Sequence, residues 1–148
     1  MSRILVVVVG VVLIAVAWHD HRTREIPLYV TVPLAVGAWL VRGVVLGWPG
    51  LEHALLAWAL GVLVFLWPFL REGTGGGDLL LMGALGSVVG GLLPTFYLTL
   101  MVLVIGGLIA GGTWLYQRKR GAAIPYGWAF VGGWWGYWLL LWAGGLHV

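Results

Sequence analysis

The sequence predicts an all-α membrane protein, a polytopic bundle of about six transmembrane helices with both termini on the outer side. Three observations predict it. Hydrophobic residues make up 61% of the 148 and charged residues only 9%, whereas a soluble domain carries roughly 25% charged residues. Such a chain cannot cover a water-facing surface, so its solvent is lipid. Its apolar runs are continuous rather than alternating, which disfavours a β-barrel. The basic residues, finally, fall in alternate connections, as six crossings require.

In order, the first span is Ile4 to Trp18, followed by a polar stretch from His19 to Pro27 that reads as a loop or helix end among the headgroups. Ala15-Val16-Ala17 resembles a signal-cleavage site, but Arg22 and Arg24 follow at once and disfavour translocation of that end. The expectation is a retained span. The second span runs from Leu28 to about Trp48, with a turn at Trp48-Pro49-Gly50. Leu51 to Leu70 is the third, and Arg71 to Gly77 is a glycine loop. A short fourth span covers Asp78 to Leu93, and a fifth begins at Pro94 and reaches about Tyr116; Gly90-Gly91 and Pro94 could alternatively form a re-entrant turn. Gln117 to Ala123 is a basic loop, and Ile124 to about Leu146 is the sixth span. The whole, residues 1–148, reads as a single domain.

Arg22, Arg24, Arg71, Arg118, Lys119 and Arg120 lie in the first, third and fifth connections, while the other side holds only Arg3 and Arg42. The positive-inside rule puts the first group in the cytoplasm. The net charge of +3 is therefore a topology signal and gives no reason to expect nucleic acid. Tryptophans at the span ends form an interfacial belt. Gly43–Gly47, Gly86–Gly90, Gly107–Gly111 and Gly132–Gly136 are small-xxx-small pairs suited to close helix packing. The absence of cysteine excludes disulfides, cysteine-ligated metal centres and thiol nucleophiles.

The chain contains two aspartates, Asp20 and Asp78, and span parity puts both at the cytoplasmic membrane edge. Asp78 could simply cap a helix, and Asp20 could pair with Arg22 or Arg24, an exposed contact of little energetic weight. Together, with one of them behind a glycine run that allows close approach, they suggest a shared site. Two carboxylates about 3 Å apart share one proton. The charged one can activate water, and the protonated one can polarise a carbonyl and then protonate a leaving amine. His19-Asp20-His21 is a poor metal cluster because neighbours i and i+2 diverge on a helix, and no metal or other cofactor is expected. A small carrier that binds cations or relays protons is the competing class, although carriers tend to place such carboxylates at the bilayer midplane.

"DHRTREIP" (Asp20 to Pro27) followed by "GGGD" (Gly75 to Asp78) resembles the type IV prepilin peptidases, six-span aspartic proteases of the Gly-x-Gly-Asp class. Asp20, Ile26 and Pro27 match the first family motif, and Gly75, Gly77 and Asp78 the second. "AIPYG" (Ala123 to Gly127) resembles the late segment that opens the last span. Leu28 stands where the family carries asparagine and Leu80 where it carries lysine, which leaves an inactive pilus-assembly scaffold as a further alternative. The resemblance implies a peptidase in the inner membrane with Asp20 and Asp78 catalytic. Its substrates would be prepilin-like membrane proteins, cut at the leader on the cytoplasmic side, with Glu25 and Glu72 as leader contacts. With no cysteine, the chain resembles the short peptidase-only branch, for which no methyltransferase activity is expected.

Overall fold

The computed structural model describes residues 3–71, 74–117 and 126–144. All regular structure among them is helical: α1 (Arg3–Thr23), α2 (Leu28–Leu70), α3 (Gly76–Val89), α4 (Leu92–Gln117) and α5 (Gly127–Ala143). Arg3–Thr23, Leu28–Leu70 and Leu92–Thr113 are long and apolar enough to cross a membrane. The helices form two compact units, Met1–Arg24 with Leu100–Val148, and Glu25–Thr99.

α1 continues five residues past the expected end of the first span, so His19 to Thr23 form its last turn. Arg24 ends it in the left-handed region (φ 62°). Its N–H donates to the Asp20 carbonyl at 2.7 Å, the bond that closes a left-handed helix terminus. Elsewhere in this unit α5 packs against α1 and α4 through small residues. The Trp134 indole donates to the Val6 carbonyl at 3.0 Å, and a methyl on Gly133 would lie 2.9 Å from Val102 Cα.

In the second unit α2 is 43 residues long but not straight. Gly47 breaks it at φ 69°, ψ −161°, a conformation open essentially to glycine alone. The rings of Trp39 and Trp58 are 6.1 Å apart, where nineteen residues of straight helix would separate them by about 28 Å. The chain therefore doubles back, and the expected second and third spans are the two arms of a helical hairpin. The break falls at Gly47, ahead of the Trp48-Pro49-Gly50 turn that the sequence suggests.

α3 seats directly on the second arm. A Cβ on Gly61 would meet the Met82 carbonyl at 2.8 Å, and one on Gly86 would meet the Ala57 carbonyl at 2.5 Å. Backbone contact of this kind gives packing energy where burial against lipid gives little. Trp39 Nε1 donates to Ser87 Oγ at 2.9 Å, tying the first arm to the same helix. α3 ends at Val89, four residues short of the expected Leu93, because Gly90 turns left-handed (φ 67°). Arg42 reaches over Gly90 and donates to the Val88 and Val89 carbonyls at 2.9 and 2.6 Å. The fourth and fifth apolar runs thus separate at Gly90-Gly91, and Pro94 sits in the first turn of α4, where its missing N–H leaves no bond unmade.

Of the expected small-residue pairs, Gly86 and Gly132 meet neighbours. Gly47 and Gly90 are instead helix breaks, and a Cβ on Gly107 or Gly111 would meet nothing within 4 Å. The basic loop beyond Gln117, with Ile124 and Pro125, and the end of the sixth span lie outside the described residues.

Candidate active site

Asp20 lies in the last turn of α1 and is only 5% exposed. Its Oδ2 accepts a hydrogen bond from the Gly127 N–H at 2.8 Å. Gly127 is the first residue of α5, so this N–H is one that helix geometry leaves without an intrahelical partner, and it points from the positive end of the helix dipole. The approach requires glycine, since a Cβ there would lie 2.7 Å from Ala17 Cα and 3.1 Å from the carboxylate itself. Next to it, the Tyr126 hydroxyl rests against Gly106 of α4. The turn that opens α5 thus clamps onto α1 and α4 together, with the Asp20 carboxylate in its grip.

The alternative of an Asp20–Arg22 pair is not what forms. Arg22 stacks over the Trp18 ring instead.

Asp78 is the third residue of α3 and 7% exposed. Its Oδ2 reaches back to the N–H of Gly75, the N-cap, at 2.7 Å. Because glycine has no side chain, this is only the return half of a capping box. The expected N-cap role of Asp78 does not form: Gly75 is the N-cap, α3 opens two residues ahead of Asp78, and the buried carboxylate bonds back to the cap from the first turn. Gly77 packs closely on Ile26 within the second unit: a Cβ on it would lie 2.7 Å from the Ile26 carbonyl and 2.8 Å from Ile26 Cβ. Ile26 is buried. Pro27 precedes α2 as its N-cap, and its carbonyl accepts the first bonds of that helix, from Val30 at 3.1 Å and Thr31 at 3.3 Å.

The remaining expected residues contribute less. Gly75 is extended (φ −83°, ψ 163°) and a Cβ there would meet only Asp78 Oδ2, at an ordinary 3.5 Å. Glu25 is exposed, as is Leu28, and Glu72 lies outside the described residues. Reading the residues singly missed Gly127. Its only signal was the Ile-Pro-Tyr-Gly segment, which carried no assigned role. Thr74 was missed as well; its Oγ1 is buried beside Gly75 with no hydrogen-bond partner among the described residues.

Both aspartates and both glycine-motif positions fall inside residues 7–116, the stretch that matches the model of the type IV leader peptidase family. The match covers well over half of the chain, which belongs to that family and is a membrane peptidase of the type IV leader peptidase kind. The matched stretch ends before Gly127, so the donor to Asp20 comes from outside it. No curated protein and no solved structure matches the chain.

Proposed function

We propose that the chain is an aspartic endopeptidase that removes the leader from type IV prepilin-like proteins, with Asp20 and Asp78 as its catalytic dyad. The observation that carries this reading is the matched setting of the two carboxylates. Each is buried at a helix terminus, with one oxygen accepting a main-chain N–H. A carboxylate fixed by the backbone has the fixed geometry that acid–base catalysis requires. In the proposed cycle the dyad carries one proton. The charged carboxylate takes a proton from water, and the resulting hydroxide adds to the scissile carbonyl, whose oxygen the protonated carboxyl polarises. As the C–N bond breaks, the leaving amine takes up a proton from the dyad, which is then ready for the next water.

The proposed setting is the inner membrane, with about six crossings in one peptidase domain, both termini outside and the aspartates facing the cytoplasm. Supporting it are the apolar helices, the folding of α2 into two arms and the parity of the basic residues. Substrate would enter with its apolar helix in the bilayer and its leader junction at the aspartates, with Glu25 and Glu72 as proposed contacts for a basic leader. The test is co-expression of a prepilin-like protein with wild-type chain, Asp20→Asn and Asp78→Asn. The expected result is a leader-length gel shift that either substitution abolishes. Cleavage surviving both would sink the dyad.

A further inference from the structure

One arrangement occurs twice outside the aspartates' own contacts. The Arg22 guanidinium lies over the Trp18 ring at 5.1 Å, and the Arg71 guanidinium over the Trp67 ring at 5.4 Å. Both distances are within the ~6 Å reach of a cation–π contact. Each pair is spaced i, i+4 at the C-terminal end of its helix, and the two indoles are 55% and 68% exposed. Asp20, two residues from Arg22, accepts the Gly127 N–H through its Oδ2. Both arginines are exposed.

The faces that carry these pairs say what lies outside. On α1, Val7, Val11, Ile14 and Trp18 are exposed, and on the second arm of α2 so are Leu56, Leu63, Trp67 and Leu70. At helical spacing each set forms one continuous apolar stripe. In a membrane protein such a stripe faces lipid tails, an indole on it marks the interface, and a cation one turn beyond lies among the headgroups. A guanidinium held flat over a ring keeps its planar fork free for a phosphate.

We propose that the Trp18–Arg22 and Trp67–Arg71 pairs each bind the phosphate of an anionic phospholipid, and that they thereby fix the depth of the segments carrying the aspartates. Asp20 lies between the members of the first pair, and Arg71 opens the loop that leads to Asp78. Only the clause about depth rests on the proposed dyad. The continuity of apolar stripe, indole and guanidinium favours a lipid over an acidic stretch of a protein substrate, which would need no such stripe.

The test uses the full chain in nanodiscs of phosphatidylcholine with and without phosphatidylglycerol. Lipid retention is read by native mass spectrometry, thermal melting by light scattering, and cleavage on a prepilin-like substrate. The wild type should retain phosphatidylglycerol preferentially and melt higher with it. R22Q and R71Q should each weaken that preference about fivefold, while melting like the wild type in phosphatidylcholine alone, which shows that they fold. R22K and R71K should recover only part of it. Equal behaviour of the wild type in the two membranes would overturn the proposal, as would variants that retain phosphatidylglycerol normally. A raised KM for substrate with unchanged lipid retention would assign the guanidiniums to the substrate and overturn it too. If the preference is present and lost in the variants, but no membrane supports leader cleavage, the lipid sites stand and the protease reading falls.

Discussion

Asp20 and Asp78 each accept a main-chain N–H at a helix start, but the donors lie at very different distances along the chain. Gly75 is three residues before Asp78, and Gly127 is 107 residues after Asp20. Asp78 brings this bond with it, since any chain that begins α3 at Gly76 behind a Gly75 cap recreates it. The setting of Asp20 exists only after α5 has docked on α1. One carboxylate is positioned by local geometry and the other by tertiary packing, so damage to the two should look different.

The largest effect is expected from Gly127→Ala. The methyl must displace either Ala17 or the carboxylate, and a shift of about 1 Å at a catalytic group costs on the order of a hundredfold in rate. Leader-cleavage kinetics should show this loss in kcat, with KM nearly unchanged. Gly107→Ala, which meets open space, serves as the control. Gly77→Ala comes next. Its methyl meets the Ile26 backbone, an overpacking of about 1–3 kcal/mol that should appear first as a lower melting temperature and only secondarily in kcat. A smaller effect is expected for Gly75→Ala. Its backbone is extended and its N–H survives, so only the poorer N-cap counts, about 0.5–1 kcal/mol, and cleavage should stay close to wild type. If Gly75→Ala inactivates as thoroughly as Gly127→Ala, the distinction between local and tertiary positioning is wrong. The smallest effect has the opposite sign: Arg24→Gly relieves a left-handed arginine and should stabilise by roughly 0.5 kcal/mol in a detergent melt.

The same contrast decides what could be read in advance. That Asp78 lies at a helix start was legible because what places it is contiguous, a glycine run, a carboxylate and an apolar segment; the sequence opens the helix at Asp78 itself, whereas Gly76 and Gly77 already belong to it. That Asp20 lies at a helix end was legible too, but its partner was not. No local rule connects position 20 to position 127, and the nearby arginines offered a plausible local answer that the Trp18 ring displaces. The helix breaks show a second kind of miss. At Pro49 and Pro94 the sequence suggests that proline breaks the chain. In both places a glycine just upstream, Gly47 or Gly90, takes the positive φ, and the proline lies in the opening turn of the helix that follows. Glycine ends and proline begins, as the missing Cβ and the missing N–H respectively favour. Family membership was legible in the motifs themselves, whereas the close approach of Ile26 and Gly77 needed coordinates, because two motifs separated by a long apolar hairpin give no sign of touching.

α3 has 14 residues, about 21 Å of helix at 1.5 Å per residue, against an apolar layer of about 30 Å. If α3 is the fourth crossing of the proposed topology, a helix that short cannot present both ends to water, and an unsatisfied carbonyl in hydrocarbon costs several kcal/mol. Arg42, from the preceding hairpin, supplies the donors that solvent cannot. This bears on biogenesis. We expect α3 to be a poor insertion signal alone and to enter the bilayer only once the first arm of α2 is in place. Glycosylation mapping of nascent chains would show this as insertion of α3 that depends on α2 and weakens with Arg42→Leu. The order of synthesis, hairpin first and short helix second, is then also the order of assembly.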